Sequence, residues 1–337
     1  MFDRKILEFV GAAVVILFAV IVIYLKSEIK TVSASSRHEL RPIKIGIMGE
    51  SAGDTSGGEA FNTGVVEHLL QVFKKNHVEA VFSTGDLVSG ATKNKGGDVW
   101  ILSQQLQDFL QLYSSILGNI PFYPVMGANE LIASKSSSEF RGAFNIETRH
   151  NFDANTFGYT VSIEDAFFVV IPTDLYDAMH HVAQPYFSPD LIQWLDKVLK
   201  GGAETHSYLF VLGHEPAFPS DEITFENELT EKDSFWKVLV QNRVLAYFAS
   251  HERLFDRSNH HGVWQIISGG GGANLREDRG VKSFYHCLVL SVPVDHILAP
   301  SLDVLDEQGK VLDHFELTSS ATPLHQLHIS SISPKKN

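Results

Sequence analysis

Ala80-Val81-Phe82-Ser83-Thr84-Gly85-Asp86-Leu87-Val88 is the stretch that decides the fold of this chain. A short run of apolar, β-branched and aromatic residues passes straight into Gly-Asp, as a buried strand does when it ends with a carboxylate at its tip. An aspartate at the carboxyl end of such a strand stands at the mouth of an α/β sheet, where ligands of these folds bind. The same grammar recurs at Ile43–Glu50, Phe122–Glu130, Tyr208–Pro216 and Leu245–Arg253. Each is an apolar run that stops on a polar or metal-capable residue. One such ending is a turn, but several aimed at one rim are a constellation.

Between these strand ends the hydrophobic period changes. Ile43–Met48 reads as the first strand of a domain that begins at Pro42. Val65, Val66, Leu69, Leu70 and Phe73 within 57–76 recur at helical spacing, as do Leu102, Leu106, Phe109, Leu110 and Tyr113 within 99–117. Strands are predicted at Phe122–Met126 and Phe167–Ile171. A helix then opens with Ser188 as N-cap and Pro189 in the first position, and Gly201-Gly202 is expected to end it. Tyr208–Leu212, Leu245–Ala249 and Val263–Ile267 are further short strands. The alternation predicts an α/β domain with a largely parallel sheet and right-handed crossovers. His286–Val292, Ser301–Leu305 and Val311–Leu317 have no helix between them and are expected to pair antiparallel in a second sheet.

Composition narrows the function. With 44% hydrophobic and 20% charged residues, the 337-residue chain has material for a core. A formal net charge of −13 without a basic run excludes a nucleic-acid footprint. The same charge repels phosphorylated ligands unless a bound cation inverts the local field. Cys287 is the single cysteine, which excludes a disulfide within the chain and a cysteine-based zinc site. Phe9 to Leu25 runs for 17 residues without a charge, at the short end of what spans a bilayer. The expectation is an N-terminal membrane anchor over 1–26, a polar linker over 27–41, the folded domain over 42–317 and an unstructured tail over 318–337. The competing reading is a cleaved signal peptide, with small residues at Val32-Ser33-Ala34 and a secreted product. Arg4 and Lys5 before the apolar run balance Lys26 and Lys30 after it, so charge does not orient the segment. An extracytoplasmic domain is the preferred arrangement.

The strand ends carry the chemistry. They read Met48-Gly49-Glu50-Ser51-Ala52, Gly85-Asp86, Gly127-Ala128-Asn129-Glu130, Gly213-His214-Glu215-Pro216 and Ser250-His251-Glu252-Arg253. In this order, and with Gln193-Trp194-Leu195 and the glycine run 269–272, the region from Pro42 to Leu317 resembles the calcineurin-like metallophosphoesterase superfamily. The resemblance implies two mixed β-sheets packed face to face and flanked by helices. It also implies two metal ions bridged by an aspartate, where paired cations generate hydroxide and neutralise charge on phosphoryl oxygens.

Only part of that set is present. By the resemblance Asp86 is the bridging aspartate, and His214 and His251 are ligands of the second metal. Arg253 stands where the family places a histidine on the first metal. Ala128 stands at the metal-binding asparagine and Asn129 at the histidine that protonates the leaving group, although a one-residue slip makes Asn129 a ligand instead. Glu50 lies near the first motif's aspartate and Ala52 near its histidine. The expected site therefore holds at most one divalent metal (Mn, Fe or Zn) on Asp86, His214 and His251, with Asn129 and Glu50 as weaker candidates. Arg253 supplies a guanidinium that can clamp a phosphate but cannot acidify a bound water.

Two functions follow from the resemblance. One is a membrane-anchored, catalytically impaired member that binds a phosphorylated small molecule or a protein partner. The other is an active phosphoester hydrolase with an atypical mononuclear site. Bland readings stay open for the rest: the glycine run can cradle a phosphate or simply turn, and His180-His181 and His260-His261 read as surface pairs. Thr173-Asp174 can lean into the cleft.

Overall fold

Phe167 and Val169 belong to one apolar cluster, and their neighbours Phe168 and Val170 to another. A strand with two apolar faces has to be covered on both sides, and alternation sends successive side chains to opposite ones. Tyr208, Phe210 and Leu212 against Leu209 and Val211 repeat the pattern, so this sheet is an inner layer.

The computed structural model describes residues 41–53, 59–91, 99–220, 231–276, 283–294 and 298–319. The elements there, in chain order, are β1 (Ile43–Met48), α1 (Thr63–Asn76), β2 (Ala80–Ser83), α2 (Val99–Leu117), β3 (Phe122–Pro124), α3 (Ala128–Ser134) and α4 (Ser138–Ala143). They continue with β4 (Tyr159–Ile163), β5 (Ala166–Val170), the hairpin β6 (Asp174–Asp177) and β7 (Val182–Pro185), α5 (Pro189–Ala203), β8 (Tyr208–Leu212) and α6 (Lys232–Gln241). The last strands are β9 (Ala246–Ala249), β10 (Phe255–His260), β11 (Val263–Ser268), β12 (His286–Val292), β13 (Ser301–Asp306) and β14 (Val311–Glu316).

One sheet runs β14-β13-β12-β1-β2-β3 and the other β10-β11-β9-β8-β5-β4. In the first, β1, β2 and β3 are parallel while β12, β13 and β14 are antiparallel. In the second, β5, β8, β9 and β11 are parallel, and β4 and β10 are antiparallel edges. The two faces meet through aromatic rings: Phe82 of β2 stacks on Phe168 of β5 at 4.6 Å between centroids, and Phe168 on Phe210 of β8 at 5.1 Å. Each such ring, fully buried, stabilises the fold by several kcal/mol, about 3–5 if truncated to alanine. α5 and α6 cover the outer face of the second sheet with Leu191, Leu195, Leu199, Phe235 and Leu239. On the first sheet α1 packs close enough that a Cβ at Gly46 would meet the Phe73 ring at 2.8 Å.

Three expectations change. The C-terminal strands do not form a sheet of their own, because β12 pairs with β1 in register Ile43 to Val292 and extends the parallel strands. Both sheets are mixed, as the family resemblance implied. Gly201-Gly202 lie inside α5, which runs to Ala203, and Gly202 serves to let the helix approach Phe167. The Ser188 cap is as expected, accepting from the Leu191 N–H at 3.1 Å. Thr318, placed in the tail, accepts a hydrogen bond from the Trp264 indole at 3.0 Å.

The anchor over 1–26 and most of the linker and tail lie outside the described residues. Among the described residues no helix is long and apolar enough to cross a membrane.

His286 of β12 ties the sheets together. Its ring is buried; Nδ1 donates to the Phe284 carbonyl at 2.9 Å and Nε2 accepts from Ser268 Oγ of β11 at 3.0 Å. Burial holds its pKa down at about 4, although the Phe284 hydrogen bond opposes the shift. The unfolded chain takes up this proton near the ordinary value of 6.5, so stability is complete above that pH and is lost as pH falls towards 4. The loss attributable to His286 is about 2–3 kcal/mol by pH ~4.5. Denaturant unfolding of wild type and His286→Gln should therefore give a stability difference that is largest above pH ~6.5 and shrinks by that amount at pH ~4.5. A pH-independent difference would contradict the assignment.

Candidate active site

The parallel strands of both sheets end at the same rim, which is where the polar endings converge. Gly85 and Asp86 follow β2, and both have positive φ, 95° and 52°. A Cβ at Gly85 would lie 2.8 Å from His214 Nδ1, so this position needs glycine for the approach as well as for the turn. His251 and Arg253 after β9 are also left-handed, at φ 61° and 51°. Non-glycine residues hold that conformation at a cost of about 1 kcal/mol each.

Asp86, His214 and His251 are brought together. His214 is fully buried, with Nδ1 donating to the Thr84 carbonyl at 2.9 Å and Ser250 Oγ 3.1 Å away. That fixes the ring and turns Nε2 towards Asp86 Oδ1 at 3.7 Å and His251 Nδ1 at 3.3 Å. Ser250 itself donates to the Thr84 carbonyl at 2.8 Å, which pins the end of β9 to the end of β2.

Asn129 enters differently. Its backbone N–H, in the first turn of α3, donates to Asp86 Oδ1 at 2.8 Å. Ala128 opens the same helix. Glu130 is buried and accepts from the N–H groups of Asp86, Val88 and Gly127 at 3.2, 3.0 and 2.9 Å, so it braces the loops that carry the site. Burial and then Asp86 push its pKa up to about 7, against those hydrogen bonds.

Glu50 is drawn to Arg253. Its Oε1 accepts from the Arg253 N–H at 3.1 Å and its Oε2 lies 3.4 Å from Nε. Glu50 is 1% exposed, and burial, then Asp86, raise its pKa to about 7 while Arg253 pulls it back. A Cβ at Gly269 would sit 2.5 Å from the Arg253 nitrogen and 3.1 Å from Glu50 Oε1. The glycine run thus makes room for this pair. Around it, the Gly269 N–H donates to the Leu254 carbonyl and the Ala273 N–H to the Glu50 carbonyl, at 2.9 and 3.2 Å. Gly271 is also close-packed, since a Cβ there would lie 2.3 Å from the Gly49 carbonyl oxygen. Ala52, in the first motif, is buried in a bridge with Phe61, and its N–H donates to the Asp86 carbonyl at 2.9 Å.

Two carboxylates join the cluster. Glu215 is 1% exposed and its Oε1 lies 3.1 Å from His251 Nδ1. Asp174, at the start of β6, lies against it, and burial raises both pKa values, Asp174 to about 6 and Glu215 well above the ordinary carboxyl range. Thr173 Oγ1 accepts from the N–H groups of both His214 and Glu215, at 3.0 and 2.9 Å. The histidines respond in opposite directions. Burial opposes charge on His214, but Asp86, Asp174, Glu215 and Glu50 outweigh it and lift its pKa to about 10. His251 is pushed down to about 3 by burial, then His214, Arg253 and Arg276. Of the remaining candidates, His180 pairs with Asp177 at 2.6 Å and His260 stacks on Phe218, both away from the cluster.

A family model described as calcineurin-like phosphoesterase matches residues 52–253. The chain belongs to that family.

Solved structures agree on the fold. Purple acid phosphatase PPD1 from yellow lupin (Lupinus luteus) seeds superposes with a TM-score of 0.63 at 14% identity, covering 82% of this chain and 53% of that one. The chain therefore spans about half the length of the lupin enzyme. A dimetal phosphatase from Danio rerio gives 0.58 at 14% identity, covering 83% and 100%. GAP50 of Plasmodium gives 0.54 at 13% identity, covering 82% and 89%. No curated protein sequence matches the chain.

A calcineurin-like phosphoesterase is expected to hold divalent metal, and the residues here fit one ion. His214, Glu215 and His251 each offer a ligand atom within 4.8 Å of the others. Glu215 Oε2 is buried without a hydrogen-bond donor among the described residues. Imidazole nitrogens with carboxylate oxygens suit borderline divalent ions. Glu215 was missed in sequence because nothing in its spacing distinguishes it; its only signal was adjacency to Gly213-His214 at a strand end.

Since Glu50 is buried against a single partly exposed guanidinium, the two should be energetically coupled. Arg253→Met is expected to lower unfolding stability near pH 8 by about 1–2 kcal/mol, and Glu50→Gln in that background to recover most of it. Simply additive losses in this double-mutant cycle would show that the pair does not interact.

Proposed function

We propose that this chain is a catalytically impaired calcineurin-like phosphoesterase that uses its rim to bind a phosphorylated small molecule or protein partner, with one divalent metal at most. The observation that carries this reading is the Arg253–Glu50 pair. By the family resemblance, Arg253 stands where a histidine would hold the first metal, and its guanidinium is already committed to the carboxylate nearest that place. When bound, the remaining ion would be held by Asp86, His214 and His251 and would supply positive charge to a net-negative chain. Arg253 adds a second, fixed cation, with a side chain 38% exposed and so within reach of a ligand. A guanidinium matches two phosphate oxygens at once but does not act as a Lewis acid on water. Asn129 meets Asp86 through its backbone N–H, and an amide side chain is too weak an acid to protonate a leaving group as the histidine of the resemblance does.

The membrane placement is also a proposal. It rests on the uncharged run Phe9–Leu25, with the domain held on the extracytoplasmic side. A precedent on the same fold is GAP50, described as the anchor in the inner membrane complex of Plasmodium. An active mononuclear hydrolase is the second reading, favoured by the intact trio of Asp86, His214 and His251.

Hydrolysis separates the two. With manganese or zinc present, the full chain should cleave an aryl phosphate monoester and diester no faster than His214→Ala, and Arg253→His should not raise the rate. Brisk metal-dependent cleavage by the wild type, or its recovery in Arg253→His, would overturn the impaired reading. Extraction of the full chain by detergent but not by salt would support the anchor.

A further inference from the structure

We infer that Glu215 is the fourth protein ligand of the ion held by Asp86, His214 and His251, closing its coordination sphere. This rests on the one-metal reading above and goes beyond it by saying what the ion does.

Three observations lead there. His214 Nε2, His251 Nδ1 and Glu215 Oε1 converge, with His251 Nδ1 3.3 Å from the first and 3.1 Å from the last. His214 Nδ1 is already spent on the Thr84 carbonyl, so its other nitrogen is the one aimed into the cluster. Second, Glu215 is 1% exposed, its Oε2 meets no fixed hydrogen-bond donor among the described residues, and the carboxyl of Asp174 beside it can bond it only by sharing a proton. A buried carboxylate oxygen without a donor is costly unless a cation reaches it. Third, the Glu215 backbone is clamped on both sides, its N–H donating to Thr173 Oγ1 at 2.9 Å and its carbonyl accepting from Tyr247 Oη at 2.6 Å. The carboxylate is therefore held at the histidines and not free to swing into solvent. Asn129, the other candidate for this coordination place, meets the site through its N–H on Asp86 Oδ1.

The consequence is chemical. Four protein ligands of two imidazoles and two carboxylates describe a closed, structural kind of site, whereas a catalytic one leaves a place for water or substrate. The ion would cross-link the ends of β2, β8 and β9, and hence the two sheets. A phosphorylated ligand would then meet Arg253 rather than the metal. Binding of this sort couples to folding, so loaded protein melts higher than chelated protein.

Zinc affinity of the full chain, measured by chelator competition together with the zinc-induced rise in melting temperature, tests this. Glu215→Gln should weaken zinc binding about tenfold or more and remove most of the thermal shift, while Asn129→Ala stays within about twofold of wild type. A Glu215→Gln affinity within about twofold of wild type, or a large loss in Asn129→Ala, would overturn the assignment. Wild type that binds no zinc at all would instead sink the one-metal reading beneath it. Anomalous diffraction from zinc-soaked wild-type crystals covers the case in which a variant does not fold. A Glu215 oxygen about 2.0–2.2 Å from the ion supports the inference, and a water in that place with Glu215 beyond ~3 Å contradicts it.

Discussion

Buried carboxylates have to be matched by positive charge, and the rim of this domain is organised by where that charge comes from. Glu50, Asp86, Glu130 and Glu215 are each 4% exposed or less, and all lie where the parallel strands end. Glu130 is satisfied by backbone N–H groups and Glu50 by Arg253, two different solutions to the same penalty. Asp86 and Glu215 face the histidines, and there Glu215 Oε2 has no fixed hydrogen-bond donor among the described residues. In the proposed reading, Arg253 takes the place of one of the two metals that the family resemblance implies.

On that reading the change bears on what the rim can do more than on how the domain folds. A guanidinium carries the charge of a cation and the geometry of a phosphate clamp, but it cannot make hydroxide at neutral pH. The scaffold is indifferent to the exchange. The stacked rings of Phe82, Phe168 and Phe210 hold the sheets together, and His286 with Ser268 adds a polar tie beside the glycine run. The family fold is thus secured by contacts away from the site and does not by itself settle activity.

Much of this was legible in the sequence. Apolar runs ending in Gly-Asp or Gly-His located the strand ends because burial and termination are both local signals. Strand boundaries at β1, β8 and β12 and the start of α5 came directly from period and capping. Pairing partners did not, since β12 could join either sheet and only packing against β1 decides it. Gly201-Gly202 misled for the same reason: glycine reads as a terminus unless the neighbouring Phe167 is known to need its space. At the site, Asp86, His214 and His251 could be found through motif grammar. Asp174 was legible only as a residue that can lean into the cleft, and Glu215 not at all, because what makes them matter is contact between residues that follow different strands.

The central claim is that the rim holds groups for a single ion, with Arg253 in the place of the other. Native mass spectrometry of the full chain at saturating manganese counts the ions directly. One manganese per chain, lost in His214→Ala, is the predicted result. Two manganese ions per wild-type chain, cooperatively bound and both lost together, would contradict it.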